Sequence, residues 1–366
     1  MARGRGPTQR DGGGTDTASA GGPWPLPARL LGRGRQLQLS GLCSALGLGC
    51  ALRRGLSGTY HSAVASSGWP FGPYPPGGLS RLSPHVVAYY ADAAPISNSA
   101  IVTGTEATLV FDANVLRFAR TLRAAADATG GPPLRHLVLS HCHADHAYGI
   151  AYFVPPADAW ASRYTVDRLA YWQGAGLAPH AEEYRAYDPA FEADMLATRL
   201  IVPQRVVLTP TVIELGGGVR VVLSLEADAH TPGDLWALVE PDGVALCGDL
   251  WFNQVEPYFG HGTLAGSLAA LRHLREADAA TCLPGHGPAA PLAPEGADPM
   301  ERLILWLMKQ VPEGTARGLR GEELRREVRR AFEAQAASPG GIDFASRWAG
   351  FLEDGVEKTE ADLSGA

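Results

Sequence analysis

Four side chains able to bind metal, His141, His143, Asp145 and His146, fall within six consecutive positions of the stretch Leu137-Val-Leu-Ser-His-Cys-His-Ala-Asp-His. The apolar run that leads into them reads as a buried strand. Residues two apart on an extended segment face the same side, so His141 and His143 can address one ion from a single stretch of backbone. Asp145 and His146, where the chain begins to turn, can address a second. Imidazole and carboxylate together suit zinc, with iron or manganese also possible. The alternative is a polar loop that is rich in histidine for no chemical reason, yet three of the chain's 11 histidines lie in these six residues.

One loop cannot close the coordination spheres of two ions, so partners are expected downstream. Three candidates occur. His230, in Ala-His-Thr-Pro-Gly-Asp, follows the strand-like run from Val219 to Leu225 and precedes a turn. Asp249 ends the apolar strand Val244-Ala-Leu-Cys-Gly-Asp. His286 sits in Leu-Pro-Gly-His-Gly, whose glycines let backbone approach an ion without a Cβ in the way. Each alone is weak; their order and shared position at strand ends make them strong together.

The succession His-x-His-x-Asp-His, His-Thr-Pro-Gly, Gly-Asp and Pro-Gly-His-Gly, spread between about Leu79 and about Pro291, resembles the metallo-β-lactamase superfamily. The resemblance implies an α+β fold, a four-layer αβ/βα sandwich with two metals at the rim between its sheets. By motif position His141, His143 and His230 would bind the first metal and Asp145, His146 and His286 the second, with Asp249 bridging. A bridging Asp resembles the glyoxalase II, lactonase and general hydrolase branch rather than the true β-lactamases. In the family the Asp at the position of Asp112 lies near the metals. Its expected role is to support the ligand loop, because a ligating His needs a carboxylate or carbonyl on its other nitrogen. The residues also allow Asp112 to begin a helix over Ala113 to Ala126, and both can hold.

The expected function is a binuclear metal-dependent hydrolase in which a metal-bridging hydroxide cleaves a thioester, ester or lactone, with Asp145 orienting the nucleophile. Two Zn2+ are the expected cofactors, Fe or Mn being possible, and the expected partner is a small-molecule substrate. Alternatives are an iron-dependent persulfide dioxygenase and a metal-dependent cyclase or thioesterase of secondary metabolism. A binding module that has lost catalysis is disfavoured, because all seven ligand positions are filled. The segment Leu250-Trp251-Phe252-Asn253, with Tyr258 and Phe259 nearby and Tyr148 beside the ligand loop, is the expected pocket wall. Of Trp251 and Phe252, one should face the metals and the other the core.

Composition narrows the partners. A net charge of −7, without basic clusters near the ligands, argues against nucleic acid. No apolar run reaches the roughly 18 residues that suggest a membrane span, and oligomeric state stays open. The five cysteines show no paired spacing, and Cys142, Cys247 and Cys282 read as reduced, buried small side chains.

Residues 1–78 form an Arg-rich, Gly/Pro/Ser/Ala-rich leader that is almost free of acids, the first Glu being Glu106. Its composition does not favour independent folding. An organelle transit peptide, a secretory signal around Leu37 to Leu52 and a start upstream of the real one are the three readings, with cytoplasm or an organelle the matching locations. Residues 79–295 are the expected catalytic domain and 296–366 a helical extension. The Arg face of Arg325, Arg326, Arg329 and Arg330 reads there as a solvated surface. Hairpins are expected around Gly104, Gly216-Gly217-Gly218 and Pro241-Asp242-Gly243, helices over Arg163 to Trp172 and Thr263 to Ala277, and a partly helical insertion over Gln173 to Thr198 that covers the site.

Overall fold

The computed structural model describes residues 78–91, 96–185, 189–347 and 350–365. The leader, with Cys43 and Cys50, lies outside them. Strands β1 (Gly78–Arg81), β2 (Val86–Tyr90), β3 (Asn98–Thr103) and β4 (Thr108–Phe111) form an antiparallel meander. After β4 the pairing turns parallel, and parallel neighbours require crossovers. Helix α1 (Leu116–Ala128) leads to β5 (Leu134–Val138), and the ligand loop with the short helix α2 (Ala144–Ala147) leads to β6 (Asp158–Ser162). Helices α3 (Arg163–Ala175), α4 (Ala178–Tyr184) and α5 (Pro189–Ala197) then lead to β7 (Arg205–Val207), which closes a seven-stranded sheet.

Helix α1 starts three residues later than its apolar spacing predicts. Asp112 and Asn114 both adopt left-handed backbone, with φ of 63° and 60°, which a right-handed helix cannot include. Asn114 holds this kink by donating to Ser97 O at 2.8 Å and accepting from Val115 N–H at 3.0 Å.

The second sheet is built from β8 (Thr211–Gly216), β9 (Val219–Glu226), β10 (Asp234–Glu240), β11 (Val244–Phe252) and β12 (Thr281–His286), in the order β12-β11-β10-β9-β8. Its strands are antiparallel except β11 and β12, which the crossover helix α6 (Leu264–Glu276) makes parallel. Thr263 starts that helix, its Oγ1 accepting from Gly266 N–H at 2.9 Å. Three helices follow, α7 (Pro299–Ala316), α8 (Gly321–Ala336) and α9 (Phe351–Ser364).

Strand alternation sorts the apolar residues into three cores. Val86, Val102, Leu109, Val221, Leu235 and Leu246 fill the space between the sheets. Leu137 and Leu139 face α1, α3 and α5 on one outer side. Ala245 and Cys247, out of phase with Leu246, face α6 to α9 on the other. Helix, sheet, sheet, helix are the four layers of the expected sandwich. Cys142, Cys247 and Cys282 are free and buried, and burial pushes the Cys142 thiol up to about 12.

Helix α9 lies in the expected helical extension, although Phe351–Ser364 offers few apolar residues to mark its bounds; Leu352 and Val356 supply its buried contact. It also corrects the reading of the Arg face. Arg325 pairs with Glu357 at 2.6 Å and Arg329 with Glu353 at 2.6 Å, so half of that face joins α8 to α9. On α9, burial and then repulsion from Glu357 and Glu353 push the Asp354 carboxyl up to about 7. A carboxyl raised in the folded state contributes stability below its unfolded pKa of about 3.9 and loses it as pH rises through about 7. Asp354→Asn is therefore expected to raise the melting temperature at about pH 8, with the gain shrinking on acidification and gone near pH 4. A pH-independent difference in thermal melts taken across that range would contradict it.

Among the described residues no helix is long and apolar enough to cross a membrane.

Candidate metal centre

The strand ends at Val138 and the loop bends through Ser140 to Cys142 before His143 returns to extended backbone, with φ −65° and ψ 153°; Cys142 is buried. Helix α2 then turns Asp145 and His146 inward. His230 follows β9, where Asp234 ties the turn by accepting from His230 N–H at 3.0 Å, Thr231 N–H at 2.9 Å and Thr231 Oγ1 at 2.6 Å. Burial pushes the Asp234 carboxyl up to about 7 in spite of those bonds.

Asp249 does not end its strand, since β11 runs on to Phe252. What turns it toward the histidines is a break in register against β12 around Gly248, whose φ of 52° is open to glycine at little cost. His286 is the last residue of β12. The glycine before it is required by the carboxylate rather than by an ion: a Cβ on Gly285 would lie 1.9 Å from Asp249 Oδ1.

The seven residues assemble as two donor groups, His141, His143, His230 and Asp249 in one and Asp145, His146 and His286 in the other. In the first, His143 Nδ1 lies 2.9 Å from His141 Nε2 and 3.0 Å from His230 Nε2, and Asp249 Oδ2 lies 3.2 Å from His230 Nε2 and 3.8 Å from His141 Nε2. In the second, Asp145 Oδ2 lies 3.6 Å from His146 Nε2 and 3.3 Å from His286 Nε2. Asp249 turns its other oxygen to this group, Oδ1 standing 3.1 Å from His146 Nε2 and 3.5 Å from His286 Nε2. Donors about 2.0–2.1 Å from a tetrahedral ion stand roughly 3.4 Å apart, so these spacings fit one ion in each group.

Two further observations fit metal. His146 Nε2 and Asp249 Oδ1 are buried and lack a hydrogen-bond partner, although buried polar atoms rarely do. In the first group the protonation states also suit ligation. Burial, reinforced by neighbouring histidines, holds His141 and His143 well below the ordinary imidazole value, and burial outweighs the pull of Asp249 to bring His230 down to about 4. These three are therefore neutral, the form that binds a metal. Burial would lower His146 and His286 too, but Asp249 and Asp145 overcome it, raising His146 well above the usual range and His286 to about 9. Asp249, despite burial, is held well below the carboxylate range by His146, His286 and His230.

Asp112 stands behind both groups. Its carboxylate accepts from His146 Nδ1 at 2.8 Å, from Ser140 N–H at 2.7 Å and from Ser140 Oγ at 2.8 Å, while Ser140 Oγ also meets His141 Nδ1 at 3.0 Å. It does not cap α1. Burial raises its pKa against the pull of His146.

The expected wall is rearranged. Trp251 turns into the helix-side core and donates Nε1–H to Asp298 at 2.9 Å. Phe252 faces the histidines, as alternation requires, but is buried and lies flat on His286 with centroids 5.2 Å apart at 11°. Tyr148 is fully buried against His180, and Phe259 is buried as well. An isolated aromatic gives no sign of which layer will cover it, hence the misplacement. Asn253 and Tyr258 remain partly exposed, Tyr258 standing 6.0 Å from His143 and 6.1 Å from His230 between ring centroids.

Ser140, His261 and Asn98 escaped the sequence reading. His261 places Nδ1 2.7 Å from His143 Nε2; its only local signal is a histidine between Gly260 and Gly262. Asn98 donates from the first sheet to Pro284 O at 3.0 Å and Gly287 O at 2.7 Å, fixing both sides of His286.

The sequence profile of the metallo-beta-lactamase superfamily matches residues 94–286, just over half of the chain. The chain belongs to this superfamily. A search of curated proteins finds no match. Among solved structures, the superfamily chain is similar to a stereoselective inverting sec-alkylsulfatase from a Pseudomonas species at 14% identity and TM-score 0.60, over 79% of this chain and 50% of that one. Metallo-beta-lactamases from Pontibacter korlensis (16% identity, TM-score 0.46, covering 62% of this chain and 95% of that one) and Hirschia baltica (17%, 0.44, 59% and 92%) are also similar.

Proposed function

We propose that this superfamily member is a binuclear metal-dependent hydrolase of a thioester, ester or lactone. The observation that carries the reading is Asp249, one carboxylate whose two oxygens face two separate donor groups. In this reading His141, His143 and His230 hold one ion, Asp145, His146 and His286 hold the other, and Asp249 bridges. Zinc suits these donors best. Bound there, two such ions would supply Lewis acidity and lower the pKa of water toward neutrality.

The protein's own part is positional. Asp249 fixes the separation of the two donor groups, and Asp112 and Ser140 aim His146 and His141. Asp145, carried on α2, orients the attacking water. The chain has no Gly-x-Ser-x-Gly elbow, consistent with a reaction that needs no protein nucleophile. An Asp in the bridging position supports the glyoxalase II-like or lactonase-like branch. His143, Asn253, Tyr258 and His261, all partly exposed, give the side from which a small-molecule substrate enters.

Elemental analysis of the purified full chain, coupled to hydrolysis assays on thioesters, esters, lactones, β-lactams and sec-alkyl sulfates, tests this. About two zinc ions per chain, with turnover of one of the first three classes abolished by a chelator and restored by metal, is the expected result. About one iron per chain with oxygen uptake would replace it by the persulfide dioxygenase reading.

A further inference from the structure

We propose that His261 is a positioning residue for the first metal, setting the tautomer and ring direction of His143, and that Tyr258 in turn sets His261. The inference rests on the reading of His143 as a ligand through Nδ1.

His143 stands apart from its neighbours. His141 and His146 present Nε2 to the donor groups and are supported from behind at Nδ1, by Ser140 and Asp112. His143 is reversed: Nδ1 lies within its donor group, 2.9 Å from His141 Nε2 and 3.0 Å from His230 Nε2, and Nε2 points away. A neutral imidazole that offers its Nδ1 lone pair must carry its proton on Nε2. That proton has an acceptor in His261 Nδ1 at 2.7 Å. Accepting there places the His261 proton on Nε2, which lies 3.2 Å from the Tyr258 hydroxyl and donates to its oxygen. Metal on His143 therefore selects one proton arrangement along three side chains, and that arrangement favours metal on His143.

The support is held firmly. Thr263, two residues on, donates its N–H to Asp228 O at 3.0 Å and Ala229 O at 3.1 Å, so the segment that carries His261 is tied to the segment that carries His230. Both are attached to the second sheet, whereas His143 comes from the first. His261 thus aligns a donor from one sheet with the donors of the other. Ring packing agrees, with His143 and His261 centroids 4.9 Å apart and Tyr258 5.1 Å from His261.

Zinc and cobalt affinities of the full chain, measured by competition with a chromophoric chelator, test the proposal. The two binding steps are assigned with His143→Gln and His286→Gln, each of which weakens a different one. His261→Ala is expected to weaken the His143 step by about 10–100-fold, the usual effect of losing such a support, and to leave the other step within about threefold. His261→Asn, which keeps an acceptor near the position of Nδ1, should recover most of the loss, and Tyr258→Phe should give a smaller loss in the same step. Wild-type affinity in His261→Ala, or equal losses in Ala and Asn variants with a fall in metal-free melting temperature, would overturn it and leave His261 a packing residue. A wild-type chain that takes up no ion in the step lost in His143→Gln would instead overturn the ligand reading on which the proposal stands.

Discussion

Asp249→Ala is expected to bind at most one transition ion per chain and to lose at least about a thousandfold in turnover, equivalent to about 4 kcal/mol of transition-state stabilisation. The size follows from its place. Asp249 is buried, one oxygen lies 3.2 Å from His230 Nε2, and the other lies 3.1 Å from His146 Nε2. Among the described residues no other carboxylate faces both groups, so its removal would take the shared anion from between the two proposed ions. Asp249→Asn keeps the shape and loses the charge; it should resemble Ala in metal content while melting closer to wild type. Mass spectrometry of the intact metalloprotein reads the stoichiometry directly. Two full equivalents in Asp249→Ala would remove the bridging assignment.

The second large effect is expected at Asp112. Its carboxylate satisfies three donors at once, His146 Nδ1, Ser140 N–H and Ser140 Oγ, in a site 1% exposed. Asp112→Ala leaves the Ser140 N–H buried without its acceptor, at about 1–3 kcal/mol, leaves His146 Nδ1 only Ser140 Oγ at 3.3 Å, and places a residue with a Cβ and no local hydrogen bond at φ 63°. A loss of several kcal/mol in urea unfolding is expected, large against the 5–15 kcal/mol total of a typical domain. Asp112→Asn tolerates the backbone and keeps one acceptor oxygen, but cannot serve all three donors. Its expected signature is narrower: near-native folding, with affinity at the His146 group reduced about 10–100-fold. If Asn and Ala unfold alike and bind metal alike, the hydrogen bonds described here are not what Asp112 contributes.

The motifs were readable because their spacing is local. His141 and His143 lie two apart just after an apolar strand, and His230 and His286 follow or end apolar strands, so local spacing and strand ends sufficed to find them. The hairpins at Gly104, Gly216-Gly217-Gly218 and Pro241-Asp242-Gly243 were legible for the same reason. What stayed hidden depends on contacts between distant segments. The bond between His261 and His143 spans 118 positions, and the Asn98 bonds to Pro284 and Gly287 span 186 and 189. Strand β7 has three residues and too little pattern to announce itself. Trp251 and Tyr148 are covered by the layers above and below, which an aromatic near a site does not announce, whereas Phe252 faces His286 and His230 as alternation requires.

Each donor group draws on both sheets. His141, His143, Asp145 and His146 come from the loop after β5, while His230, Asp249 and His286 come from β9, β11 and β12. Neither half of the sandwich alone carries a complete set, so an ion is also a clasp across the seam. Anything that binds only the folded form stabilises it by about 2.7 kcal/mol when present at a hundred times its dissociation constant. Here that contribution falls on the join between two layers rather than on one loop. If the two groups hold metal as proposed, metal supply would set how firmly the two halves of this protein hold together, in addition to whether it can react.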